Sequence, residues 1–214
     1  MSAPASGIPG WLIEVMTKVS SAPASWFSSY VPPPGGGRRQ SAVLILFGSG
    51  PDGSTDVVLT QRASTMRNHP GQVSFPGGGA ESGDADAIQT ALREANEEIG
   101  LDPESVQILG ELPALHIPIS GYDVTPIVGW WYRPHVVTAR QPEEVERVTR
   151  VRVDQLLEPT MRFSVGHPSG YVGAAFDADG MLVWGFTAGL LDRLFELAEI
   201  AQGWNRKDVR PLPE

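Results

Sequence analysis

Short apolar runs and alternating patterns along this chain predict a series of β-strands. The first is a buried strand at residues 41–47, SAVLILF, and a loop over residues 48–55 separates it from a second strand at residues 56–61. Residues 73–75 lead into a glycine-rich turn. Further strands are predicted at residues 106–112, 124–132, 145–153, 171–176 and 181–184.

Two longer segments repeat their apolar residues every three or four positions, which predicts amphipathic helices. The first begins near residues 84–87 and ends at Gly100, since glycine commonly follows the last turn of a helix. The second covers about residues 187–202. Strands that surround two helices predict an α/β sandwich built on a mixed sheet. The apolar stripe of the first helix consists of Ile88, Ala91, Leu92, Ala95 and Ile99.

The first forty residues have a different composition, rich in Ala, Ser, Pro and Gly. A short helix is predicted at residues 11–19, and we expect it to pack on the main domain or on a partner subunit. Residues 32–39, PPPGGGRR, are typical of a linker. The predicted organisation is an N-terminal extension over residues 1–40, one domain over residues 41–205 and a C-terminal tail over residues 206–214.

Composition and charge limit the kinds of partner and substrate that the chain is expected to bind. With 41% hydrophobic and 19% charged residues, the chain has an ordinary soluble globular composition. The formal net charge of -9 argues against non-specific nucleic-acid binding and against attachment to anionic membranes by bulk charge. An anionic substrate would therefore need local positive charge, from metal ions or from a few arginines.

The chain contains no cysteine, which excludes disulfides, zinc thiolate sites and thiol nucleophiles. Its beginning lacks the basic and apolar segments of a signal peptide, and no apolar run approaches the length of a membrane span. These observations fit a cytoplasmic location.

Three glutamates and an arginine give the first predicted helix its chemistry. The spacings of Glu94, Glu97 and Glu98 place their carboxylates on one side of the helix, where they can share a cation. Hard oxygen ligands suit Mg²⁺ or Mn²⁺, and such ions commonly bridge protein carboxylates to phosphate oxygens. The alternative is an exposed helix face on which Arg93 pairs with Glu97 and the acids are solvated.

Residues 93–101, REANEEIGL, resemble the end of the signature of the Nudix hydrolases. One departure from the pattern is informative. The signature also contains an earlier glutamate, between its glycine and its arginine. Its usual distance from the arginine would place it at Ala85, which has no carboxylate, whereas its usual distance from the glycine would place it at Asp84. The segment therefore contains one extra residue, which is expected of the coenzyme A pyrophosphatase branch of that family.

A second signature lies directly upstream. Residues 58–78, VLTQRASTMRNHPGQVSFPGG, resemble the motif of the same branch, with Val58 where leucine is more usual. The resemblance implies a Nudix-type α/β/α sandwich with a central mixed β-sheet. It also implies hydrolysis of the diphosphate of coenzyme A or its thioesters, which gives 3′,5′-ADP and 4′-phosphopantetheine or its acyl form.

The resemblance assigns roles to the helix residues and to one acid outside them. Glu94, Glu97 and Glu98 would bind Mg²⁺ or Mn²⁺, and Glu94 would also act as a general base on the attacking water. Arg93 would orient one of these glutamates rather than touch the substrate. Glu144 is the candidate for a further catalytic carboxylate, and the alternative for it is an exposed acid in a charged run before a strand.

The implied substrate-binding residues lie upstream of the helix. Arg62 and Arg67 would contact the diphosphate or the 3′-phosphate of the substrate, because a guanidinium can bind two oxygens at once. Each could instead be a surface arginine paired with an acid. His69 would donate to a phosphate or order its loop. Gly77 and Gly78 would let the backbone bend sharply and approach the substrate closely.

Two other functions stay open. A hydrolase of another nucleoside diphosphate derivative, such as ADP-ribose, a dinucleotide or a nucleotide sugar, would share the helix glutamates but would not explain the upstream signature. A non-catalytic binding or regulatory module would need a broken metal site, and all three helix glutamates are present. We expect a small-molecule substrate, no nucleic-acid or membrane partner, and a homodimer.

Overall fold

The computed structural model describes residues 7–37, 39–66, 69–167 and 170–212. Its helices are α1 (Gly10–Val19), α2 (Ala24–Phe27), α3 (Ala87–Ile99), α4 (Val153–Leu157) and α5 (Gly185–Leu197). Its strands are β1 (Arg39–Ser49), β2 (Thr55–Arg62), β3 (Val73–Ser74), β4 (Gly77–Gly79), β5 (Val106–Glu111), β6 (Leu115–Ile117), β7 (Tyr122–Trp131), β8 (Val145–Arg152), β9 (Arg162–Gly166), β10 (Val172–Ala178), β11 (Met181–Val183) and β12 (Val209–Pro211). Within these residues, no helix is both long and apolar enough to cross a membrane.

The larger sheet is mixed, as predicted. β1 runs parallel to β7, with Arg39 opposite Tyr122 and Gly48 opposite Trp131, whereas β2 and β4 run antiparallel to β1. The main strand order is β3-β2-β1-β7-β5, and β8, β4 and β6 pair with β2, β1 and β7 respectively. β1 is therefore a central strand with hydrogen-bonded neighbours along both of its edges.

Alternate residues of β1 point to opposite faces of this sheet and contact different helices. Ile45 and Phe47 belong to a core that includes residues of α1 and α5, whereas Leu44 and Leu46 pack with α3. All four side chains are fully buried. Helices therefore cover both faces of the sheet, which confirms the predicted α/β/α sandwich.

A smaller second sheet has the order β11-β10-β9-β12. The sequence patterns predict β10 and β11 but neither β9 nor β12. Arg162 of β9 is fully buried, and its Nη2 lies 2.5 Å from Oδ1 of Asp192 in α5. β12 pairs in parallel with β9, so residues 209–211 of the predicted tail take part in a sheet.

Two predicted boundaries are corrected. α5 ends at Leu197 rather than near residue 202, because Glu199 has a left-handed backbone conformation with φ 58° that leaves the helical path. Arg39, predicted as the last residue of a linker, instead begins β1 through its pairing with β7.

α1 packs on the main core, which is one of its two expected locations. Leu12, Val15 and Val19 are buried, and the ring of Trp11 meets the ring of Phe47 edge-on, with 5.4 Å between their centroids. The predicted division of the chain into extension, domain and tail stays a prediction.

Candidate active site

α3 carries the predicted catalytic glutamates, and residues of the appropriate types fix both of its ends. At the N-terminus the side chain of Asp86 accepts a hydrogen bond from the N–H of Gln89 over 2.8 Å. At the C-terminus Gly100 adopts the left-handed conformation with φ 73°. The helix buries Ala95 and Ile99, which leaves the three glutamates on its flank.

β4 brings glycine backbone directly against these glutamates. A Cβ atom at Gly78 would lie 2.5 Å from Cδ of Glu94, so this approach requires a residue without a side chain. The N–H of Gly77 donates to Oε2 of Glu98 over 3.0 Å. Gly77 itself has φ 155°, and a Cβ there would collide with the carbonyl oxygen of Ala42 in β1. Both glycines thus position catalytic candidates, and their direct contact with substrate stays a prediction.

Arg93 connects the glycine turn to the glutamates. Its Nη2 donates to the carbonyl oxygen of Gly79 over 2.9 Å and to Oδ2 of Asp84 over 3.0 Å, and its Nε donates to Oδ1 of Asp84 over 3.1 Å. Its Nη1 lies 3.1 Å from Oε1 of Glu94 and 3.2 Å from Oε2 of Glu97. The guanidinium is therefore held on one side by Asp84 and Gly79, and contacts two of the three glutamates on the other.

Asp84 is a site residue whose pairing with Arg93 the sequence patterns do not predict. The hydroxyl of Thr90 and the N–H of Glu81 also donate to its Oδ2, over 3.0 and 2.9 Å. The Arg93 guanidinium holds the pKa of the Asp84 carboxyl well below its usual range. The only sequence signal for this pair is an acid on the N-terminal side of Arg93 at an unusual spacing.

The two most buried helix glutamates have raised pKa values. Burial, together with repulsion from Glu94, raises the pKa of Glu98 to about 7. Burial also raises the pKa of Glu94, with further contributions from the charges of Glu97 and Glu144. A cation among these groups would offset both the burial of charge and the mutual repulsion. The electrostatics of the site therefore fit a bound cation.

The donor types also fit Mg²⁺ or Mn²⁺, since both ions prefer carboxylate oxygens. In the part of the chain that the structure describes, no three acidic or histidine side chains converge closely enough to hold an ion. Glu94 and Glu97 instead share Nη1 of Arg93. Their assignment as metal ligands, together with Glu98, stays a prediction.

Glu144 and Arg62 are distant from α3 in the sequence but electrostatically close to its glutamates. The charge of Glu144 contributes to the raised pKa of both Glu94 and Glu98, and the charge of Arg62 partly opposes the shift at Glu98. The N–H of Ala63 donates to the carbonyl oxygen of Glu144 over 2.8 Å and joins the end of β2 to the start of β8. The fold therefore brings both predicted residues to the site.

Arg62 has an unused hydrogen-bond donor at this position. The register between β2 and β8 shifts between Gln61 and Arg62, and such irregularities redirect side chains. Nε of Arg62 is buried without a hydrogen-bond partner, and its guanidinium forms no ion pair with a carboxylate, among the described residues. An unpaired buried donor beside a group of carboxylates is suited to an anionic ligand such as a phosphate.

Arg67 and His69 are the remaining predicted substrate-binding residues. Arg67 lies outside the described residues. His69 is exposed with φ 55°, and its carbonyl oxygen accepts a hydrogen bond from the N–H of Gln72 over 3.3 Å. These features fit the alternative in which His69 orders its loop.

Comparison with known proteins places this site in a family. The family model of the NUDIX domain matches residues 37–168, more than half of the chain. An uncharacterized Nudix hydrolase, NudL, of Enterobacter sp. (strain 638) is 41% identical over 145 residues, which are 64% of this chain and 72% of that protein. NudL of Citrobacter koseri is 37% identical over 146 residues, with the same shares of the two chains.

A solved structure shows the same fold. The crystal structure of a Nudix hydrolase from M. smegmatis, RenU, matches 83% of this chain and 99% of its own chain, with a TM-score of 0.53 and 22% sequence identity. At that identity the likeness concerns the fold alone, and it agrees with the Nudix-type sandwich that the sequence predicts.

Proposed function

Because the chain belongs to the Nudix family, whose hydrolases act on nucleoside diphosphate derivatives, we propose that it cleaves the diphosphate of coenzyme A or of its thioesters. One water molecule is consumed, and one bridging P–O bond breaks. The products are 3′,5′-ADP and 4′-phosphopantetheine, or its acyl form when a thioester is the substrate.

The observation that supports this proposal best is the position of the upstream segment, residues 58–78, relative to α3. Arg62 of this segment interacts electrostatically with Glu98, and Gly77 donates a hydrogen bond to Glu98 over 3.0 Å. The segment that resembles the coenzyme A branch is therefore in contact with the catalytic candidates. Such a position suits residues that determine substrate specificity.

The side chains suggest a division of roles. Glu94, Glu97 and Glu98 would hold Mg²⁺ or Mn²⁺, as Nudix hydrolases generally use such ions, and the bound ion supplies positive charge against the diphosphate. Glu94 or Glu144 would accept the proton of the attacking water. Arg93 orients Glu94 and Glu97 through its Nη1, and the free donor of Arg62 would bind a diphosphate oxygen.

One substrate panel tests the proposal. Purified protein with Mg²⁺ or Mn²⁺ is offered coenzyme A, an acyl thioester, ADP-ribose and NADH, and products are identified by mass spectrometry. We expect coenzyme A or the thioester to give the highest kcat/KM, with 3′,5′-ADP as a product. Faster cleavage of ADP-ribose or NADH would replace the coenzyme A assignment with another nucleoside diphosphate derivative.

Two additions make the panel sharper. Glu97→Gln should abolish turnover without unfolding the protein, because Glu97 is the most exposed of the three glutamates and carries no part of the core. Absence of turnover in the unaltered chain with every substrate would favour the non-catalytic alternative. Light scattering of the same sample tests the predicted homodimer.

A further inference from the structure

A hydroxyl group of α5 contacts the segment that resembles the coenzyme A branch. Oγ1 of Thr187, in the first turn of α5, donates a hydrogen bond to the carbonyl oxygen of Val73 over 3.0 Å. Both residues are only 4% exposed. The chemistry described above assigns no role to this contact, although it joins α5 to residues 58–78.

The position of Val73 in the sheet explains why its carbonyl group needs a donor from another element. The N–H of Arg62 donates to the carbonyl oxygen of Gln72 over 2.9 Å, so the next opposed pair, Gln61 and Val73, is one whose members do not bond each other. In such a pair the carbonyl groups point away from the partner strand. The carbonyl of Val73 is therefore directed away from β2, towards α5.

The bond lies inside the core on one face of the sheet. Val73 and Phe75 pack in the same core as Ala188 and Leu191 of α5, on the face opposite to α3. A carbonyl group buried in this way is unfavourable without a hydrogen bond. Thr187 supplies the donor, and the bond fixes β3 against α5.

β3 depends on such a contact because it is short. It contributes two residues at the end of the main strand order, opposite Thr60 and Gln61 of β2. The hydroxyls of Thr60 and Ser74 add a contact over 3.0 Å. A strand of two residues at the end of a sheet is easily displaced unless another element holds it. The bond from Thr187 holds it from outside the sheet.

Val73 lies between two points at which the segment meets the candidate active site. Next to it, the carbonyl oxygen of Gln72 binds the backbone N–H of Arg62. Four residues further along, the N–H of Gly77 donates to Oε2 of Glu98. A displacement of β3 would therefore move the backbone of Arg62, whose buried Nε is the donor proposed for the diphosphate.

We propose that Thr187 is a positioning residue for the binding of the diphosphate. Its hydroxyl holds β3, and through β3 the backbone of Arg62, in the place that the substrate requires. The inference rests on the proposed function. It gives α5 a part in substrate binding without contact with the substrate, from the face of the sheet opposite to the glutamates.

Thr187→Val tests the inference, because it removes the hydroxyl and nearly keeps the shape of the side chain. We expect the KM for coenzyme A to rise by about tenfold, the factor that one well-placed hydrogen bond contributes. The kcat and the apparent affinity for Mg²⁺ should stay within about twofold of the unaltered values. The reason is that the turn beside Glu98 is anchored separately, by the N–H of Leu44 on the carbonyl oxygen of Pro76 over 2.8 Å.

Two further substitutions at this position complete the comparison. Thr187→Ser keeps a hydroxyl and should return the KM to within about threefold of the unaltered value. Thr187→Ala repeats the loss of the hydroxyl if the valine variant does not fold. A KM that is raised equally in the serine and valine variants would contradict a role for the hydroxyl.

Ser164→Ala is the matched control. Oγ of Ser164 in β9 donates to the carbonyl oxygen of Arg206 over 2.9 Å, and Ser164 is also 4% exposed. The variant loses a bond of the same kind in the second sheet. It should lower the midpoint of urea unfolding, as Thr187→Val does, and leave the KM unchanged. Equal rises in KM in the two variants would overturn the inference, since general loosening of the fold would then explain both.

A double-mutant cycle tests whether the effect passes through Arg62. In the background of Arg62→Gln the donor that Thr187 positions is gone, so Thr187→Val should raise the KM further by less than about twofold. A full tenfold rise in that background would contradict the inference.

Binding of ADP, which carries a diphosphate, separates the inference from the proposed reaction. Calorimetry with Mg²⁺ should show that ADP binds Thr187→Val about tenfold more weakly than the unaltered chain, and that Thr187→Ser and Ser164→Ala bind it normally. This result supports the positioning role even if coenzyme A is not hydrolysed. Equal affinities of Thr187→Val and the unaltered chain, or no binding of ADP by the unaltered chain, would overturn the role even if coenzyme A is hydrolysed.

Discussion

Arg93 and Asp84 form a two-point ion pair, in which Nε and Nη2 of the guanidinium lie 3.1 and 3.0 Å from the two oxygens of one carboxylate. This geometry fixes the plane of the guanidinium and directs Nη1 at Glu94 and Glu97. Asp84 and the two residues that follow it lie before α3, which begins at Ala87.

Asp84→Ala should therefore lower kcat by about 10- to 100-fold, because loss of a residue that orients catalytic ligands typically has an effect of this size. The apparent affinity for Mg²⁺ should fall as well. Steady-state kinetics over a range of Mg²⁺ concentrations measure both quantities. Asp86→Ala is the control, since Asp86 only caps α3, and it should lower the free energy of unfolding by about 1 kcal/mol with kcat unchanged. Equal kcat values in the two variants would contradict an orienting role for Asp84.

Gly77 and Gly78 should respond differently to the same substitution. Gly77→Ala places a methyl group against the backbone of Ala42 at φ 155°, so we expect the free energy of unfolding to fall by about 2–4 kcal/mol. Gly78→Ala meets only the mobile end of Glu94, so the fold should survive while the displaced carboxylate lowers kcat by about 100-fold. Urea unfolding and kinetics on both variants check this. A stable, fully active Gly78→Ala would show that the approach of Glu94 to the turn is not needed.

The sequence predicts those parts of the site that are close together in the chain. The glutamates of α3 follow from helical spacing, and the face of the helix that packs on the sheet follows from Ala95 and Ile99. Strand β1 is equally predictable from the sequence. Its residues are apolar almost without interruption because they contact helices on both faces of the sheet.

Contacts that join distant segments are not visible in such patterns. The pairing of Ala63 with Glu144 depends on the register of β2 and β8, and β9 is held in part by the ion pair of Arg162 with Asp192. Periodicity is a local signal, whereas these interactions exist only in the folded chain. The role of Asp84 is hidden for the same reason, since its distance from Arg93 is set by an irregular loop.

Glu144→Gln tests the candidate for a catalytic carboxylate outside α3. If Glu144 accepts the proton of the attacking water, kcat should fall by about 10²- to 10⁴-fold, and the acidic limb of the pH profile of kcat/KM should change. Glu143→Gln removes the neighbouring exposed acid and should leave kcat within about twofold of the unaltered value. Similar activity of both variants would move the assignment of the base to Glu94.

Glu98 makes the stability of the metal-free protein depend on pH in a defined direction. Its pKa in the folded protein is about 7, mainly through burial, which lies above the ordinary glutamate value of about 4.3. The folded state therefore binds the proton more tightly than the unfolded state does. The resulting stabilisation is present below about pH 4.3 and is lost as the pH rises through 7. Over the whole pH range it amounts to at most about 4 kcal/mol.

Glu98→Gln should remove this dependence, because a neutral amide can still accept the hydrogen bond from Gly77. Urea unfolding in EDTA should show the variant gaining stability relative to the unaltered protein between pH 4.5 and pH 8, by up to about 3 kcal/mol. Glu97→Gln should show no comparable gain, since the Glu97 side chain is 44% exposed and water screens its charge. Added Mg²⁺ should make the unaltered protein more stable than Glu98→Gln at pH 8. The reason is that an ion that binds only the folded protein with Glu98 ionised stabilises that state. A difference between Glu98→Gln and the unaltered protein that is independent of pH would contradict the buried, proton-binding state of Glu98.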